Sequence, residues 1–139
     1  MHIVHMLIYS PLNNWPCTIY RRNTMKNAKQ EIEELMLQVS SLTQVRCATI
    51  THYKPYLNDA KPKPQPKTFN LPILYTAKEA EDFLDSLDFE YDSGYGIQEI
   101  YGTIWFEDKT WATREEYDGS EWWEYQEQPE IPKHLYKMT

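Results

Sequence analysis

Four carboxylates in the last third of the chain, Asp92, Glu99, Glu121 and Glu124, are the residues whose type would suit acid and base work or a hard cation. They stand in a background of their own kind. Between Asp88 and Glu130 thirteen carboxylates face two basic side chains, Lys109 and Arg114, a balance of −11. At that density carboxylate pairs arise from composition alone, so their spacing assigns no reaction. No nucleophile elbow, P-loop or zinc-protease motif is present, and DSGYG (92–96) is too short for a dinucleotide fingerprint; it reads as a chain reversal. Cys17 and Cys47 lack CxxC spacing, and His2, His5, His52 and His134 are scattered. No catalytic residue, metal ligand or cofactor is assigned, and the balance favours binding over catalysis, with a small enzyme of unknown reaction as a further alternative.

The same acidic segment carries eleven aromatics, from Phe89 to Tyr125. Disorder goes with few aromatics, so the segment is expected to fold and to present a negative surface. The charge is divided along the chain: residues 1–67 carry +5 and residues 68–139 carry −12, which recovers the net −7. A positive partner suits the acidic half, and direct nucleic-acid binding does not. The N-terminal MHIVHMLIY has no basic flank or cleavage site, and no run approaches the length of a membrane span, so a soluble, intracellular protein is expected.

These residues need a scaffold, and 139 residues suit one domain, 1–139. Its first part, 1–53, reads as a β-α-β unit. His2–Tyr9 is a nearly all-apolar buried strand, and 10–17 a loop. A helix follows, with Met25, Ala28, Ile32, Leu35, Met36, Val39 and Leu42 on one stripe and Thr24 or Asn27 as its cap. Val45–Tyr53 is the next strand. The segment 54–67 is a Pro/Lys-rich loop. In the acidic aromatic part, 68–139, Thr76 and Glu79 form a capping box opening a second helix, with Ala80, Phe83, Leu84 and Leu87 inward. Three strands, 97–106, 110–116 and 121–126, then form a meander, with Trp105 expected in the core. The fold class is α+β: a mixed or antiparallel sheet with two helices on one face.

The runs DFEYDSGYG (88–96), GTIWFEDKTW (102–111), EYDGSEWWEY (116–125) and PEIP (129–132) resemble a C-terminal signature of small bacteriophage and prophage accessory proteins. The resemblance covers about a third of the chain. Lys109 departs from it, since resembling sequences tend to carry glycine after Asp108. The resemblance implies a viral origin, a host cytoplasmic location and a role in host takeover or counter-defence by inhibiting a host protein. Carboxylates on a rigid sheet could imitate spaced phosphates and so engage a defence or nucleic-acid-processing protein through its basic groove.

The surface expected to bind a protein is Glu115, Glu116, Tyr117, Asp118, Glu121, Trp122 and Trp123. Consecutive strand residues alternate faces, so Trp122 and Trp123 cannot both point inward. The alternative is sequestration of a small signalling nucleotide in a pocket of Tyr95, Trp105, Trp111 and Arg114, with the rings stacking on the base and the arginine pairing with phosphate. The sequence leaves the oligomeric state, including a homo-oligomer, open.

Overall fold

The computed structural model describes residues 3–9, 16–22, 24–39, 44–54, 65–94 and 96–137, with side chains from residue 24 onward. The architecture is α+β. Strand β1 (Ile3–Tyr9) pairs antiparallel with β2 (Pro16–Arg22) in a two-stranded sheet. The strand, helix, strand order expected from the sequence holds, but the first strand pairs with β2, whose first two residues, Pro16 and Cys17, fall in the expected loop. The burial expected for the side chains of β1 lies outside the described residues, as do most of the Pro/Lys-rich loop and Tyr95.

Helix α1 (Ala28–Gln38) is capped by Asn27, whose side chain accepts from the Gln30 N–H at 3.1 Å. Two further N–H groups of its first turn donate to the chain just before residue 90: Ala28 to the Phe89 carbonyl and Lys29 to that of Leu87, both at 2.9 Å. A short ladder of β3 (Met25–Asn27) with β6 (Glu90–Asp92) fixes this junction and places Tyr91 beside the helix. Ala28, Ile32, Leu35 and Val39 are buried as the periodicity requires, whereas Met25 and Met36 are exposed and the helix ends at Gln38.

Helix α2 (Ala77–Ser86) has the expected capping box, with Glu79 N–H to Thr76 Oγ at 3.1 Å and Thr76 N–H to the Glu79 carboxylate at 3.2 Å. Phe83 and Leu87 are buried, and Ala80 and Leu84 pack at the core margin.

Both helices cover one face of a five-stranded antiparallel sheet built from β4 (Val45–His52), β5 (Lys67–Leu71), β7 (Ile100–Phe106), β8 (Trp111–Tyr117) and β9 (Ser120–Gln126), in the order β5-β4-β7-β8-β9. The last three strands are the expected meander. Strand β5 was hidden by the prolines before it. Its Asn70 and Thr68 side chains bond those of Thr49 and Thr51 on the uncovered face, at 2.7 and 2.9 Å.

Alternation along β7 puts Ile100, Ile104 and Phe106 in the core and Tyr101, Thr103 and Trp105 on the uncovered face. Trp105 is 41 % exposed, so its expected place in the core is corrected. The reason is alternation, since Ile104 and Phe106 on either side of it are both buried, and the strand is also held close to its neighbour. At Gly102 a Cβ would lie 2.3 Å from the Thr49 carbonyl and 2.9 Å from Ile50 Cα, so only glycine lets β7 approach β4 here, and its φ of +153° suits no other residue. The two isoleucines and Phe106 flank that contact and fill the helix side; the bulkier indole alternates outward.

Candidate functional site

The β8–β9 register places Arg114 opposite Trp123, both on the helix-covered face. The Arg114 side chain is only 1 % exposed and its guanidinium lies over the rings of Tyr91 and Trp123, at 5.7 and 5.1 Å from their centres. It donates to the Tyr91 hydroxyl at 3.0 Å, sits 3.4 Å from the Glu31 carboxylate and makes a close ion pair with Glu121. The Tyr91 hydroxyl in turn donates to Glu31 in a close hydrogen bond. Glu121 spends its remaining acceptor capacity on the backbone, taking the N–H of Glu99 at 2.7 Å and of Ile100 at 3.0 Å. Arg114 Nε is buried with no partner among the described residues.

Burial by itself would lower the pKa of Arg114, but Tyr91, Glu31 and Glu121 outweigh it and hold the guanidinium above its ordinary value. Tyr91 is pushed well above its ordinary range, by burial first and by Glu31 next, with Arg114 pulling the other way. The cluster thus keeps a charged arginine and a neutral phenol locked together, joining α1, β6, β8 and β9.

Carboxylates singled out for acid and base work do converge here, but as backbone acceptors. Glu99 takes the Asp92 N–H at 3.3 Å and pairs with His52 at 3.1 Å, while the His52 ring stacks on Phe89. Glu124 lies on the other face, accepting from the Trp122 indole N–H at 3.3 Å. Among the described residues no cluster of His, Cys, Asp and Glu is arranged to hold a metal.

The uncovered face is a different surface. At one end stands the β8–β9 turn, where Asp118 (φ 50°) and Gly119 (φ 84°) take the two left-handed positions of a tight hairpin. Around it Glu116, Tyr117 and Asp118 are exposed, Tyr117 to 76 %, and Glu115, Trp122 and Glu124 lie on the open side of the strands. At the other end Trp105 and Trp111 are cross-strand neighbours, and Arg46, Cys47, Ile73, Trp105, Lys109 and Thr110 line a cleft of about 420 Å3.

Of the seven residues expected to bind a protein, Glu115, Glu116, Tyr117, Asp118 and Trp122 therefore share an accessible hairpin end. Glu121, 2 % exposed, and Trp123 do not: they face the helices, because alternation from Trp122 sends both inward. The expected nucleotide pocket is not assembled either. Arg114 lies on the covered face and is held by two carboxylates, while Trp105 and Trp111 lie on the uncovered one. Arg46 and Lys109 are the cations that accompany Trp105, and sequence reasoning passed over both. A bulge at residue 46 and a left-handed residue at 109 bring them there, and only the departure from glycine at 109 hinted at either.

No protein-family model matches the chain, and comparisons with curated proteins and with solved structures give no significant match. No helix among the described residues is long and apolar enough to cross a membrane.

Proposed function

We propose that the protein is a non-enzymatic binding protein that docks the end of its β8–β9 hairpin on a basic surface of a partner protein. The observation that carries this reading is the sorting of charge within the hairpin. Its single cation, Arg114, is turned inward and neutralised, while Glu115, Glu116, Asp118 and Glu124 accompany the exposed rings of Tyr117 and Trp122, and residues 115–126 contain no lysine or arginine. Aromatic anchors inside a ring of like charge, presented by a stiff hairpin, suit a partner rich in lysine and arginine. The likeness of residues 88–132 to phage accessory proteins makes a host defence or nucleic-acid-processing factor the partner of choice, inhibited by occupation of its basic groove.

The test is retention of a host protein on immobilised wild type against the triple variant Glu115→Lys, Glu116→Lys, Glu124→Lys, with thermal melting to verify folding. Glu121 is left intact because its carboxylate holds the core together. The expected result is a partner that cross-links to residues 115–124, is released steeply by salt and is lost on charge reversal. A folded triple variant that retains the same partner, or a wild type that retains none, would overturn the proposal.

A further inference from the structure

At the opposite end of the uncovered face the side chains that line the surface are of another kind. The chain carries a net −7, yet the cleft of about 420 Å3 between β4 and the β7–β8 turn has two cations and no carboxylate in its lining. Its volume falls within the roughly 300–1,000 Å3 of small-ligand sites.

Two local departures from regular strand geometry put those cations in place. The β4–β7 register slips between Val45 and Cys47, leaving Arg46 in a bulge, and bulges re-aim side chains. Across the cleft Lys109 holds φ 71°, a left-handed conformation that glycine adopts at least cost. Neither cation is ion-paired with a described residue, while the Asp108 carboxylate of the same turn accepts from the N–H and hydroxyl of Thr110. The half-exposed indole of Trp105 lines the same cleft, and the exposed Ile73 adds apolar surface to it.

We propose that this cleft binds a single nucleoside phosphate, the base stacking on Trp105 and the phosphate held between Arg46 and Lys109. An arginine fork and a lysine point charge are the usual pair for phosphate oxygens, and an indole face accepts any base. A bare inorganic anion would leave Trp105 and Ile73 without a role. A long polyanion would also meet Glu107 and Asp108, which precede Lys109 in the same turn, so a mononucleotide fits where duplex does not. The site shares no residue with the hairpin end and stands or falls independently of it.

The experiment is calorimetry and tryptophan fluorescence of the whole chain titrated with adenosine and guanosine 5′-diphosphates, with adenosine and inorganic phosphate as separate probes. One nucleoside diphosphate should saturate a single site and bind about tenfold or more tightly than either half alone. Arg46→Ala should weaken it by about tenfold. Lys109→Gly should do the same while raising the unfolding midpoint, because it removes the left-handed strain; a variant that is more stable yet binds less cannot owe its loss to misfolding. No saturation by about 1 mM, phosphate binding as tightly as the nucleotides, or binding untouched by both substitutions would each overturn the proposal.

Discussion

Removing the guanidinium of Arg114 would leave Glu31 and Glu121 buried beside Tyr91 with no cation between them. Breaking a buried pair in this way costs about 3–5 kcal/mol, most of it the penalty on the charges left behind. Tyr91 makes the cluster sensitive to alkali. Its hydroxyl is raised above an ordinary value of 10.0, so the folded state holds that proton more tightly than the unfolded chain. The resulting stability is fully present below the unfolded value and is lost as the pH climbs beyond it. Tyr91→Phe should therefore flatten the alkaline fall of the denaturation midpoint as the pH rises above about 10. Tyr75, raised by burial and by Glu107, leaves a residual slope in both proteins. Identical slopes for variant and wild type would refute the assignment.

Element by element, what the sequence disclosed depended on how local its cause was. The capping box of α2 and the Asp118-Gly119 turn are written in adjacent residues, and both stand where the sequence placed them. Strand β5 and the inward face of β7 were not legible, because each is decided by a neighbour in space. Gly102 is a further case, since its closeness to Thr49 and Ile50 follows only from the pairing with β4. Likewise Arg114 read as a free phosphate ligand until the pairing with Trp123 turned it inward. Gly102→Ala should cost about 2–4 kcal/mol, combining overpacking with an unfavourable φ. Urea denaturation would measure it, and a midpoint unchanged from wild type would mean that β4 and β7 lie farther apart.

Across the whole molecule, charge is sorted by position as well as by sequence half. The uncovered sheet face carries an acidic aromatic end and a small cationic cleft; along β8 Glu115 stands four residues from Trp111, the cross-strand neighbour of the cleft's Trp105, or roughly 13 Å at strand spacing. That separation exceeds the Debye length of about 8 Å at physiological salt, so the two ends act on their surroundings separately. Duplex DNA, which must meet the whole face, is expected to be repelled. A mobility-shift titration in low salt should show no complex, and tight binding there would contradict this charge map. The bonds from Glu121 to the N–H groups of Glu99 and Ile100 carry one more consequence. A side chain of one strand shields the amides leading into another, so those two protons can reach solvent only when the β8–β9 register opens. In deuterium oxide their exchange should be slow for amides at a strand end, and in Glu121→Gln it should quicken while amides in the middle of β4 keep their rates.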